Sequence, residues 1–333
     1  MITVLGNGGW GTAVALVLAG KGLEVRMWGI EEDYVLETAR SRRNPRYLPG
    51  IPIPREILVT PDASEATRGA DLLISAIPTQ FLRPTLEDLR EQDDSDGAPV
   101  LSLSKGLEVR TLLRPTQVLR EMLGRRRLGV LVGPSHAEEV ARGLPAAVVV
   151  AAADEELARR IQATISTDRF RPYTSTDVLG VELASALKNV LALAAGICDG
   201  LGFGDNTKAA LLTRGVVEMA RLGAALGARR QTFTGLAGIG DLITTCVSPH
   251  GRNRAVGERI GKGETLQEIL DSMAQVAEGV PTTKAVRMLG RKHQLEMPIT
   301  EQVHGVLFHG KDPRRAVADL MLRRHRGEAE EYR

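Results

Sequence analysis

Cysteine is nearly absent from this sequence, and its scarcity removes whole classes of chemistry. Of 333 residues only Cys198 and Cys246 are cysteine. They allow at most one disulfide, and no cluster has metal-ligand spacing, which suits a reducing compartment and no bound metal. Both read as small buried apolar residues. An excess of one charge is also missing: Lys and Arg number 43 against 41 Asp and Glu, a formal net charge of +2. With no global basic field there is no call for nucleic acid, and the expected partner is a small molecule. No uninterrupted apolar stretch reaches the roughly 20 residues that span a bilayer, and the apolar N-terminus lacks the basic lead of a secretory signal. No membrane insertion is therefore expected, and the cytoplasm is the expected compartment. Internal repeats and low-complexity tracts are absent too. What remains is a chain too long for one typical core and suited to two domains.

Its first residues carry the clearest pattern. The apolar run Ile2-Thr3-Val4-Leu5 breaks into Gly6-Asn7-Gly8-Gly9-Trp10-Gly11, a G-x-G-x-x-G turn. In that pattern the first Gly permits a tight turn, the second lets backbone approach a pyrophosphate, and the third allows the next helix to pack on the strand. Helix N–H groups and the helix dipole then favour the phosphates. The competing reading is a turn and nothing more. Context favours the dinucleotide, because Ala13 to Ala19 reads as the following helix and Leu23 to Trp28 as the next strand.

Short β-branched runs alternate with helical stretches through the first half, the signature of a mostly parallel sheet flanked by helices. Strands are expected at Leu72–Ile77, Pro99–Leu103, Gly129–Val132 and Ala146–Val150. Ligands of such sheets sit beyond the carboxyl ends of strands, so Pro78 to Phe81, Ser104 to Gly106 and Gly133 to Ala137 should face a cofactor crevice. From about residue 178 the β signals vanish and Ala/Leu-rich helical sequence takes over. The expectation is an α/β Rossmann-like domain over residues 1–177, followed by an all-α domain over 178–333. Asp93 to Gly97 reads as an exposed loop and Arg323 to Arg333 as a solvated tail.

The second domain holds an oddity. From Val181 to Ala195 apolar residues lie nearly all round the helix, as in a helix buried among others, yet Lys188 sits in the middle. Such a lysine either snorkels to an edge or meets a polar cavity. Ser185 lies one turn earlier. A second polar cluster follows, Gly238-Ile239-Gly240-Asp241 with Thr244-Thr245 and then Gly251-Arg252-Asn253-Arg254. Burial pushes an isolated lysine towards neutrality and a nearby carboxylate such as Asp241 restores its proton. That tension makes a lysine a usable acid or base.

These residues, taken together, resemble the glycerol-3-phosphate dehydrogenases. The resemblance runs through Gly6 to Ala13, Asn44-Pro45-Arg46-Tyr47-Leu48-Pro49-Gly50, Ser104-Lys105-Gly106 and Gly133-Pro134-Ser135-His136-Ala137. It continues through Leu187-Lys188-Asn189-Val190, Gly204 to Lys208, Gly240-Asp241-Leu242, Gly251 to Arg254 and Val276-Ala277-Glu278-Gly279. So many ordered matches cover nearly the whole chain. The resemblance implies interconversion of dihydroxyacetone phosphate and sn-glycerol 3-phosphate with NAD or NADP, which supplies glycerol 3-phosphate for phospholipid synthesis. It also implies a homodimer.

Residue by residue, the resemblance makes Lys188 the general acid/base, held by Asp241 and Asn189, with Lys105 reaching both cofactor and substrate. Arg252 and Asn253 match the phosphate-binding pair, whose guanidinium fork suits phosphate oxygens. Gly133, Ser135 and Gly251 match further substrate contacts. Gly9, Trp10, Ile30, Phe81, Lys105, Ala137, Arg252, Val276 and Glu278 fall where the family touches the dinucleotide, beside Gly6, Gly8 and Gly11. Plainer readings compete: a solvated loop lysine for Lys105, a charged turn for Arg252 and Asn253, a helix N-cap for Ser135, ordinary packing for Trp10 and Phe81. Lys208 is a further cation near this set.

Many bacterial members carry Arg at or near Ile30, where a 2′-phosphate wants a cation, and here there is none until Arg40. NAD is therefore the expected preference over NADP, unless Arg26, Arg42 or Arg43 folds back. Gly251 stands where many relatives have Ser, and His136 where an apolar residue is frequent; His136 reads as a partly exposed loop histidine. Two rivals remain. One is a 3-hydroxyacid or ketopantoate-type dehydrogenase of the same layout, the other a non-catalytic nicotinamide sensor.

Overall fold

In a computed structural model of the chain, residues 1–273, 275–325, 327 and 328 are described. Residues 326 and 329–333 of the expected solvated tail lie outside them. Ten strands form in the first half: β1 Ile2–Leu5, β2 Val25–Trp28, β3 Arg43–Asn44, β4 Leu48–Pro52, β5 Leu58–Thr60, β6 Leu72–Ser75, β7 Val100–Ser102, β8 Leu128–Val132, β9 Ala146–Ala152 and β10 Phe170–Ser175. Eight of them make one sheet, ordered β10-β9-β8-β7-β6-β1-β2-β5. Pairing is parallel throughout except between β8 and β9, which run antiparallel. The sheet is thus mostly parallel, as expected. β3 and β4 form a separate antiparallel pair.

Both faces of the central strands are covered, so they read as continuous apolar runs and were legible as strands. β10 was not, because Pro172 and the exposed Arg171 and Tyr173 interrupt it. Its position at the sheet edge explains the tolerance for proline. Strand order reverses at β1, whose neighbours are β6 and β2, and this switch point is where the glycine turn lies.

The chain divides into two units, Met1–Ser104 with Pro115–Val178, and Lys105–Arg114 with Leu179–Arg333. A single boundary near residue 178 did not provide for the excursion 105–114. Its physical reason is apolar: Leu107 is buried in the core of the second unit, with Val109 and Leu112 packed against that core. Arg114 pairs with the buried Glu182 of the same unit. In the second unit every regular element is helical among the described residues. Its central helix, Val178–Gly200, is long and apolar enough by length and composition to cross a bilayer. Yet 89% of its most apolar 18-residue window is buried inside the protein, which is the signature of a core helix. It packs on the helix Arg252–Gly261 through glycines: a Cβ on Gly196 would fall 1.9 Å from the Arg254 carbonyl oxygen, and one on Gly257 2.1 Å from that of Leu193.

The acidic loop at 93–97 is only partly exposed. Asp94, Asp96 and Gly97 face solvent, while Ser95 is buried and the Asp93 carboxylate turns in to Arg126. Cys198 and Cys246 are free and buried.

Candidate active site

At the carboxyl end of β1, Gly6 adopts a φ of +112°, which side chains rarely tolerate. Gly11 has no room for a side chain, since a Cβ would lie 2.1 Å from the Gly6 carbonyl oxygen. Gly9 is closed off by the Tyr47 carbonyl oxygen at 2.6 Å, and the Ala137 methyl lies 3.8 Å from the same point. Beside Gly8, by contrast, nothing comes within 4 Å. The turn is thus packed on one side and open on the other, at the N-terminus of the helix Gly9–Gly20. Trp10 Nε1 and Asn7 Nδ2 are buried donors with no hydrogen-bond partner among the described residues. Open space at Gly8, unpaired helix N–H groups and two orphan donors fit the phosphates of a dinucleotide.

These contacts separate folding from binding. Gly11→Ala should force the helix off the strand at a cost of about 1–3 kcal/mol and lower the Tm. Gly8→Ala meets no protein atom, so its Tm should stay near wild type while NADH affinity falls about tenfold. Thermal unfolding and an NADH titration of both variants check this, and equal Tm losses would contradict it.

Other expected site residues of the first unit are placed as follows. Ile30 is 57% and Phe81 51% exposed, so neither is spent on packing. The Trp10 ring lies 6.4 Å from that of Phe170, a packing contact for its face. Gly133 has a φ of +152° and would place a Cβ 2.8 Å from Val148 Cα. Ser135 is not a helix cap: its hydroxyl donates to the Gly133 carbonyl at 2.9 Å, and half-buried His136 holds the N-cap position of Ala137–Ala141. Arg26 and Arg42 do not fold back to Ile30. They donate to the Glu65 carbonyl at 2.6 Å and the Ile57 carbonyl at 2.8 Å.

In the second unit the polar residues converge. Lys188 Nζ donates to Asp241 Oδ1 at 2.7 Å and to Thr245 Oγ1 at 2.5 Å. Lys105 Nζ donates to Asp241 Oδ2 at 2.9 Å. One carboxylate thus bridges two ammonium groups. Lys188 and Asp241 are almost wholly buried, with side chains 4% and 3% exposed, while that of Lys105 is 19% exposed. Lys188 does not snorkel.

Local sequence sets this up. Leu236–Gly240 forms a π-helical turn, which delivers Asp241 to the start of the helix Asp241–Val247. Gly238 is required there, because a Cβ would lie 2.1 Å from the Phe233 carbonyl oxygen. Thr245 lies one helical turn after Asp241 and donates to its carbonyl at 2.6 Å, so its oxygen faces the lysine as acceptor.

The electrostatics follow from burial. Desolvation pulls the Lys188 ammonium down to about 8, opposed by Asp241 and aided by the neighbouring Lys105. Burial alone would raise Asp241, yet the two lysines hold it below the usual carboxylate range. The site therefore presents a lysine able to give or take a proton near neutral pH, beside a permanent anion.

Other expected partners behave differently. Asn189 is buried but makes no side-chain hydrogen bond to Lys188 among the described residues; its carbonyl oxygen lies 2.7 Å from where a Gly279 Cβ would stand. Ser185 donates back to the Glu182 carbonyl at 2.8 Å. Asn253 is buried, and its Oδ1 accepts from Gly279 N–H at 2.9 Å, leaving Nδ2 without a protein partner among the described residues. Exposed Arg252 donates through Nη1 to the Val276 carbonyl at 2.9 Å, and the rest of its fork has no partner among the described residues. Glu278 stands at the N-cap position of the helix Gly279–Lys292 without a side-chain cap bond. Gly251 has no room for a side chain without movement, since a Cβ would fall 2.6 Å from the Thr245 carbonyl oxygen. Lys208 is committed elsewhere: Asp199 binds it at 2.6 Å and Arg254 at 2.7 Å. Thr245 is the partner that the sequence reading left without a role.

Burial raises the Cys198 thiol to about 11 and that of Cys246 to about 12, so neither is a ready nucleophile. Among the described residues no group of three or more His, Cys, Asp or Glu is placed to hold a metal ion.

Comparison with known proteins gives a consistent result. Residues 1–158 match the family described as NAD-dependent glycerol-3-phosphate dehydrogenase N-terminus, and residues 177–318 its C-terminus. A glycerol-3-phosphate dehydrogenase [NAD(P)+] of Salinibacter ruber is 52% identical over 97% of this chain and 95% of its own. One from Moorella thermoacetica is 48% identical over 99% of this chain and 98% of its own. Among solved structures, glycerol-3-phosphate dehydrogenase of Coxiella burnetii superposes with a TM-score of 0.92 at 39% identity, covering 97% of this chain and 98% of that one.

Proposed function

Since the chain belongs to the NAD-dependent glycerol-3-phosphate dehydrogenase family, we propose that it interconverts dihydroxyacetone phosphate and sn-glycerol 3-phosphate with NAD(H) or NADP(H). The observation that carries this reading is the buried Lys188–Asp241–Lys105 bridge. A carbonyl reductase needs a proton donor for the oxygen and positive charge to steady it as electrons arrive. When bound, the nicotinamide supplies the hydride. Lys188 gives its proton to the carbonyl oxygen in reduction and recovers one from the alcohol in oxidation. Lys105 adds a second cation that stabilises the developing oxyanion without moving a proton.

The residues proposed for the phosphoryl group are Arg252, through the unpaired part of its fork, and Asn253, through Nδ2. Lys105, Gly133, Ser135 and Gly251 complete the substrate set, and Asn189, buried next to Lys188 in the chain, completes the catalytic set. For the dinucleotide the set is Gly6, Gly8, Gly9, Trp10, Gly11, Ile30, Phe81 and Ala137, with Lys105, Arg252, Val276 and Glu278. NAD is the favoured cofactor, on the strength of Glu31 and the apolar Ile30 beyond β2. The product feeds phospholipid synthesis in the cytoplasm, and the homodimer follows from the family resemblance.

The decisive assay is NADH oxidation with dihydroxyacetone phosphate, repeated with dihydroxyacetone. Binding energy from the phosphoryl group should appear in kcat as well as KM, so unphosphorylated substrate should lose at least about 100-fold in kcat/KM. Equal rates with both, or turnover of ketopantoate alone, would overturn the assignment.

A further inference from the structure

Beyond β2 the first unit holds an exposed ion pair between Glu31 and Arg46. Glu31 follows β2 by three residues and Gly11 by twenty, the place from which a doubly wound fold reads the adenosine ribose. Its carboxylate is bound by Arg46, with Nη1 at 2.5 Å from Oε2. The same guanidinium stacks over the Tyr34 ring, 4.1 Å from its centroid, and the Tyr47 hydroxyl donates to the other Glu31 oxygen at 3.4 Å.

Arg46 lies between β3 and β4, and a buried network fixes that hairpin to the glycine turn. Asn44 Nδ2 donates to the Asn7 carbonyl at 2.7 Å and to Thr12 Oγ1 at 2.9 Å. The Tyr34 hydroxyl donates to Asn44 Oδ1 at 2.5 Å. Both charged heads stay in water, 41% exposed for Arg46 and 54% for Glu31. An exposed pair of this kind holds weakly. A phosphate dianion, able to take two parallel N–H bonds from the fork, competes well with one carboxylate.

We infer that Arg46 is the residue that reads the 2′-phosphate of NADP, and that Glu31 restrains it and thereby sets the balance between the two cofactors. With NAD, Glu31 accepts from the free ribose hydroxyl and Arg46 stays on its carboxylate. With NADP, the phosphate takes over the guanidinium and the Glu31 charge opposes it. This deepens the proposed function and rests on the dinucleotide part of it.

The test is cofactor affinity without substrate, so it stands whichever carbonyl compound is reduced. Tryptophan fluorescence or calorimetry gives Kd for NADH, NADPH and 2′,5′-ADP on wild type, Arg46→Ala and Glu31→Gln. Arg46→Ala should raise the Kd ratio of NADPH to NADH about tenfold, and weaken 2′,5′-ADP in parallel, the loss expected for a charge-assisted pair. Glu31→Gln should move the ratio the other way by a similar factor. Raised salt should weaken NADPH more than NADH in wild type and equally in Arg46→Ala. An unchanged ratio in either variant would overturn the inference.

Discussion

Replacing Lys188 by Ala should lower kcat for reduction of dihydroxyacetone phosphate by at least about 100-fold, the low end for a general acid/base group. The ammonium of this lysine is buried, bonded to Asp241 and Thr245, and drawn down to about 8 by desolvation. Lys105 keeps its bond to Asp241 in the variant, so the carboxylate is not left without a cation. For that reason the fold and the NADH affinity should survive. Lys188→Met, which keeps the apolar stem, should match Lys188→Ala in kcat and exceed it in Tm, because it leaves a smaller cavity. The comparison of kcat, KM and NADH Kd across both variants is the check. A kcat within threefold of wild type in either one contradicts the role, and loss of NADH binding in step with kcat points to a structural lysine.

Lys188 was legible in the sequence because a charge in an all-round apolar helix has few outcomes, and Asp241 because it sits in a Gly-rich polar cluster. The bridge between them was not legible in detail. Thr245 shares a face with Asp241 because it lies one turn later in the same helix, but nothing in that spacing shows that the face meets Lys188. Lys105 read as the end of β7, whereas Leu107, two residues later, is buried in the helical core and takes the segment with it. No periodicity reports that choice, because ten residues are too few to show one.

The same limit applies to the pair proposed for the phosphoryl group. Arg252 and Asn253 read as an equivalent pair, yet one is exposed and the other buried as a clasp on Gly279. Sequence spacing sets both at a helix start. Asn253 turns inward to accept from the Gly279 N–H, a partner 26 residues further on that the local spacing does not show. Near Ile30 the sequence offers Arg40, with Arg26, Arg42 and Arg43 as cations that could fold back, and distance along the chain does not single out Arg46, which pairs with Glu31. Arg46 arrives through a hairpin that the alternation did not announce, since Pro49, Gly50 and Pro52 interrupt β4.

Replacing Asp241 by Asn should have the second large effect, and its pH dependence identifies the mechanism. With Lys188 as the proposed general acid/base, wild-type reductive kcat should fall as pH rises through about 8, while oxidative kcat, which draws on the free amine, should rise over the same range. Asp241 is the largest influence raising the lysine against its burial. Without that charge two ammonium groups face each other in a nearly dry site. Breaking a buried ion pair costs about 3–5 kcal/mol if both charges are kept. Releasing a proton from a lysine at about 8 costs only about 1.4 kcal/mol per pH unit below it. Neutralisation is the cheaper course, so Lys188 should give up its proton. Reductive kcat at pH 8 should therefore fall by about 10- to 100-fold, and the descending limb should move to lower pH, with activity partly restored on acidification. The oxidative limb should move the same way. A variant that loses activity equally at every pH, with its limbs where wild type has them, would show that Asp241 only holds the lysine in position and does not set its proton affinity.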